Sequence, residues 1–104
     1  MIPVEVGKRF GVNLKRARKR RGISQDELAF TMGLHRTEAS LLERGLRFPR
    51  IDTFVKLCDS LDAKPRELLR GIVWVRGDGS EPGAMRVIDD NAPPSAGEDS
   101  GAGR

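Results

Sequence analysis

The stretch from Ser24 to Gly45 constrains this chain more than any other segment. Ser24 and Glu27 have the Ser-x-x-Glu spacing of a capping box, in which the serine hydroxyl accepts from the backbone three residues on and the glutamate reaches back. A helix is therefore expected to begin at Gln25. Leu28, Ala29 and Met32 point inward at helical spacing. Gly33 makes a turn, Leu34 plugs it, and a further helix is expected from about Arg36 to Arg44, with His35 near its N-cap and Gly45 as its stop. Ala29 lies where these two helices cross steeply, with no room for a larger side chain.

Two short helices joined by a glycine turn form the layout that carries a helix into the major groove of DNA. Just upstream lie eight basic residues, Lys8, Arg9, Lys15, Arg16, Arg18, Lys19, Arg20 and Arg21. The charge is uneven: residues 1–70 hold 16 Lys and Arg against 9 Asp and Glu, while residues 71–104 hold 3 against 6. Such segregation suits a polyanion-facing domain with a mildly acidic tail.

Around this segment the pattern predicts three more helices. Val6, Phe10, Leu14 and Ala17 recur at four, four and three, so a first helix should start near Val4–Gly7, run to Arg21 and end at Gly22. Arg47-Phe48-Pro49-Arg50 reads as a loop. Ile51, Phe54, Val55, Cys58 and Leu61 give an amphipathic fourth helix, and Pro65 to Arg70 a short fifth one opened by its proline. Beyond Gly71, Ile72-Val73-Trp74-Val75 and Val87-Ile88 flank a turn-rich segment and predict a β-hairpin, with strands near 72–76 and 84–88. A lone hairpin is marginal in water, so it must dock on the helices or on another chain. Phe30, Phe48 and Trp74 are further candidates for a partner surface; for each the alternative is packing within the chain.

The expected organisation is a helix-turn-helix domain at 1–71, a hairpin extension at 72–88 and a disordered tail at 89–104, with almost nothing to bury. The length, 104 residues, leaves little for a second core. No stretch is apolar enough to span a bilayer and the N-terminus lacks a secretion signal. Cys58 is the single cysteine and His35 the single histidine, so neither an internal disulfide nor a metal cluster is expected. No Ser/His/Asp set, nucleophile elbow or phosphate loop occurs. The sequence is read as a cytoplasmic, cofactor-free chain that is not an enzyme, with no membrane contact and no small-molecule ligand.

Residues 10–70 resemble the Xre-like, phage-repressor type of helix-turn-helix domain. Leu14, Arg18, Gly22, Ser24, Gln25, Leu28, Ala29, Gly33, Leu34, Ser40, Leu42, Glu43, Gly45, Pro49, Leu57 and Leu61 carry the likeness, in the family's order and spacing. The Gly-Leu-His-Arg-Thr and Glu-Arg-Gly segments are also similar to those of restriction–modification controller proteins. The resemblance implies an all-α bundle of five helices and an ion pair between Arg18 and Glu43. It also implies that the Gln25 amide meets a phosphate and braces the third helix.

The expected function is sequence-specific binding of double-stranded DNA by a transcriptional regulator. The third helix would enter the major groove. Arg36 is the first candidate for base readout, because a guanidinium can grip guanine O6 and N7 together. Thr37 can meet a base edge or a thymine methyl; Ser40 and Leu41 lie one turn on. Arg44, Arg47 and Arg50 line the exit of that helix toward the backbone. His35 is either a phosphate contact or an ordinary cap. Glu38 either accepts from a cytosine amine or faces sideways. Arg16, Lys19 and Arg20 read as a solvated face that at most steers. A homodimer is expected, because one short helix reads too few bases, and the hairpin is one device for pairing. The alternative is a protein-interaction adaptor, such as the antitoxin of a toxin–antitoxin pair; a third reading is RNA association through the basic first helix.

Overall fold

Val6, Phe10, Leu14 and Ala17 are fully buried, and the helix that carries them, α1 (Val4–Arg21), is the spine on which the rest of the molecule packs. The computed structural model describes residues 2–88. After α1 come α2 (Gln25–Met32), α3 (Arg36–Glu43), α4 (Ile51–Leu61), α5 (Pro65–Leu68) and a two-stranded antiparallel sheet, β1 (Ile72–Val75) and β2 (Ala84–Val87). The expected fold class is observed: five helices followed by a hairpin. The expected tail at 89–104 lies outside the described residues.

Local signals set the helix ends. Gly22 and Gly33 take φ of 71° and 69°, the left-handed conformation that lets the chain turn back without a Cβ clash. The capping box is complete: Ser24 Oγ accepts from Glu27 N at 3.0 Å, and Glu27 Oε1 accepts from Ser24 N at 2.7 Å. Helix α3 ends one residue before the expected Arg44, which serves as its C-cap. Helix α5 stops at Leu68, two residues short of expectation. There the Asn13 side chain of α1 donates Nδ2 to the carbonyls of Leu68 and Arg70, both at 2.9 Å, and takes the place of further helical bonds.

One expectation needs correction, and one open alternative is decided. On α4, Ile51 and Val55 are 77 % and 59 % exposed, whereas Leu57, absent from the expected stripe, is buried. The buried arc runs through Leu57, Leu61, Phe54 and Cys58, so the face is rotated away from Val55 by a fraction of a turn. Burial also pushes the Cys58 thiol above its ordinary value. Phe48 is no exposed anchor: its ring packs on Phe10, centroids 5.2 Å apart, closing the core beside Phe54.

The hairpin docks on its own chain. Its register sets Ile72 opposite Val87 and Trp74 opposite Met85. Ile72 packs against the core, Ile88 N donates to Gly71 O at 2.7 Å, and Val87 N donates to Glu5 Oε2 at 3.3 Å. Trp74 stays 62 % exposed, its ring lying across Gly83 so closely that a Cβ there would be 2.4 Å from the indole.

Candidate nucleic-acid interface

The position of α3 is fixed from beneath by close backbone approach. A Cβ on Gly11 would stand 2.3 Å from Glu43 O, and one on Gly7 would stand 2.8 Å from Gly45 O. These two glycines, one helical turn apart on α1, form a flat track for the end of α3. Glycine inside a helix costs about 1 kcal/mol relative to alanine, so a pair at this spacing signals a packing requirement. That signal is legible in the sequence itself, as Gly7 and Gly11 four residues apart within a helical stripe.

Farther along the same face of α1, Arg18 meets Glu43. Its guanidinium grips the carboxylate through Nε and through Nη2, the latter at 3.1 Å, while Nη1 donates to Ile23 O at 2.8 Å. Gln25 Nε2 donates to the same carboxylate at 3.0 Å. One buried carboxylate thus ties α1, the start of α2 and the end of α3 together. The hydrogen bond to Glu43 holds Arg18 above its usual value, against the opposing effect of burial. The ion pair implied by the family likeness is present, and Gln25 takes the bracing part of its expected role.

Above this clamp α3 turns its other side outward. Gln25, Arg36, Thr37, Ser40 and Arg44 line one shallow cleft of about 300 Å³. Successive helical residues turn by about 100°, which gathers Arg36, Ser40, Arg44 and Thr37 into one sector, while Ala39 and Leu42 are buried on the other side. Of the remaining sequence-predicted residues, His35 is the exposed N-cap of α3 without a side-chain capping bond. Leu41 is half-buried at the rim of the sector. Arg47 lies on the following loop, its Nη1 2.7 Å from Glu38 Oε1, so Glu38 faces sideways toward the exit of the helix. Arg50, still farther on, stands 3.6 Å from Asp52.

The free protein tempers this basic surface with its own carboxylates. Arg36 Nε is 3.0 Å from Asp26 Oδ1, an ion pair whose side chains are 71 % and 69 % exposed. Solvated pairs of this kind are worth roughly 0–1 kcal/mol and exchange readily for a stronger acceptor. Asp26 was not among the sequence-predicted residues. Nothing in the chain's local pattern links it to Arg36, because the pairing depends on how α2 crosses α3.

Among the described residues, no group of three His, Cys, Asp or Glu side chains is placed to hold a metal ion, and no helix is long and apolar enough to cross a membrane.

Comparison with known proteins matches the geometry. A helix-turn-helix family model (HTH_3) matches residues 14–68. The control protein C.BamHI of Bacillus amyloliquefaciens is 38 % identical over 61 residues, 58 % of this chain and 75 % of that protein. Among solved structures, the restriction-modification controller protein C.AhdI from Aeromonas hydrophila superposes with a TM-score of 0.60 at 38 % identity, covering 62 % of this chain and 94 % of that one. An HTH_3 family transcriptional regulator from Vibrio cholerae gives 0.58 at 31 % identity over 62 % of this chain and 36 % of that one. The match spans α2, the Gly33 turn and α3 together with the Arg18–Glu43 clamp that sets their angle. The chain belongs to the helix-turn-helix family of DNA-binding transcriptional regulators.

Proposed function

We propose that the protein is a sequence-specific regulator that reads the major groove of double-stranded DNA with α3, as a homodimer. The observation that carries this reading is the cleft where Gln25, Arg36, Thr37, Ser40 and Arg44 converge above a buried clamp. Base readout demands a rigid helix presenting a few donors outward, and the Arg18–Glu43–Gln25 bonds supply that rigidity. Arg36 is the base-reading residue, bidentate to guanine. Thr37, Ser40 and Leu41 form the neighbouring contacts, with the half-buried Leu41 against the sugar wall.

Gln25 and His35 serve the phosphates on one side, and Arg44 and Arg47 those on the other. The capping box engages the N–H groups of Ser24 and Glu27 and leaves those of Gln25 and Asp26 at the start of α2 for an anion. Similarity to two controller proteins supports a regulatory role.

Selection of bound duplexes from a random pool, with stoichiometry measured on the selected site, tests the reading. The expected product is a pseudo-palindrome whose half-sites lie about 34–36 Å apart, bound by two chains. A lone half-site bound by one chain would remove the homodimer. No enrichment, even in dilute salt, would remove sequence-specific binding altogether.

A further inference from the structure

The side of α1 turned away from α3 carries a second basic site. Residues advance by about 100° along a helix, so Gly7, Gly11 and Arg18, which face α3, lie opposite Asn13, Arg16 and Arg20. Between the latter group and α5 opens a cleft of about 410 Å³, larger than the one over α3. Five cations line it, Arg16, Arg20, Lys64, Arg66 and Arg70, against one carboxylate, Glu67. Glu67 is engaged by Arg20, while Arg16, Lys64, Arg66 and Arg70 have no ion pair among the described residues. So dense a cluster of like charge repels itself unless an anion is bound.

Asn13 adds an independent sign of a ligand. It lines the same cleft, is 3 % exposed, and spends its amide hydrogens on the Leu68 and Arg70 carbonyls. Those two carbonyls fix the amide's orientation, since a flip would set oxygen against oxygen. Its Oδ1 is then buried with no partner among the described residues. A stranded buried acceptor calls for a donor. Five surrounding cations favour the fully ionised form of a bound phosphate, in which every oxygen is an acceptor, so charge alone does not complete the site.

We propose that this cleft binds a nucleoside di- or triphosphate, with its phosphates gripped by the arginines and, as those exposed side chains turn to the phosphates and uncover the amide, a sugar hydroxyl or base amine donating to Asn13 Oδ1. Guanidinium forks suit phosphate oxygens bidentately, and the volume falls within the roughly 300–1,000 Å³ of small-molecule sites. Because the cleft opens away from α3, nucleotide and duplex occupy the chain together. The site stands independently of how α3 reads DNA.

Calorimetric titration of the full chain with ATP, GTP and pyrophosphate, each with and without duplex DNA, tests the assignment. Saturable binding of at least one nucleotide is expected, about tenfold or more tighter than pyrophosphate, and retained when duplex is present. Arg16→Ala/Arg66→Ala, two exposed substitutions remote from α3, should weaken nucleotide binding by about tenfold or more and shift duplex affinity by less than about threefold. Four results would each overturn it: no saturable binding of either nucleotide, pyrophosphate binding as tightly, displacement of the nucleotide by duplex, or an unchanged nucleotide affinity in the double variant.

Discussion

Two arginine–carboxylate pairs flank α3, and they do opposite things. Arg18–Glu43 joins α1 to the end of the helix with side chains 10 % and 2 % exposed; Arg36–Asp26 joins its beginning to α2 in open solvent. The chemistry is the same and the surroundings differ. Water screens the outer pair to near neutrality, so Arg36 is free to change partners. The inner pair has no such exit, because each charge would be left desolvated without the other. One arginine is thereby committed to the scaffold and the other is available to a ligand. The Gln25 amide on Glu43 extends the inner pair into a three-helix clamp.

Breaking the inner pair should have the largest effect. Arg18→Met leaves Glu43 buried and unpaired and is expected to cost about 3–5 kcal/mol of folding stability, read from urea unfolding of the two proteins. A loss below about 1 kcal/mol would place this pair in the same class as the outer one. Arg36→Ala should leave the urea midpoint almost unmoved and cost about 1–3 kcal/mol on the preferred duplex, with relaxed preference at one base pair. Equal losses on preferred and random duplexes would mark Arg36 as a backbone contact instead.

Arg47→Ala is expected to weaken all duplexes alike and to reduce the slope of log affinity against log salt by about one. A sequence-dependent loss would move Arg47 into the base-reading set. Asp26→Asn should act least and in the other direction. Freed of its carboxylate, Arg36 gains a few tenths of a kcal/mol for any duplex at low salt. Weaker binding from this variant would show that Asp26 holds Arg36 in its reading posture.

The elements themselves were legible because the signals that set them are local. Ser24 with Glu27, the glycines at 22 and 33, and the Val6–Phe10–Leu14–Ala17 stripe are each satisfied within a few residues, and the hairpin strands fall within a residue of expectation. Periodicity served less well on α4. Ile51 and Val55 have the right spacing and the wrong side, since the arc is chosen by what Leu57 and Leu61 meet across the core. Phe48 was ambiguous in the chain and is settled by the ring of Phe10. At the α3 surface, the sequence nominated the residues that converge in its cleft, because helical spacing alone puts Arg36, Ser40 and Arg44 on one side. It did not disclose that Asp26 and Glu38 occupy Arg36 and Arg47 in the free protein.

Composition and spacing along the chain were enough to dictate five helices, a glycine turn and an outward basic face, since backbone capping and side-chain periodicity act over one or two turns. The angle of α3, the second basic cleft and the stranded Asn13 oxygen came into being only when distant segments met. Arg18 and Glu43 are separated by 25 residues, and Asn13 by 55 from Leu68. Such contacts depend on how helices cross and which charges lose their water, and both are properties of the packed molecule.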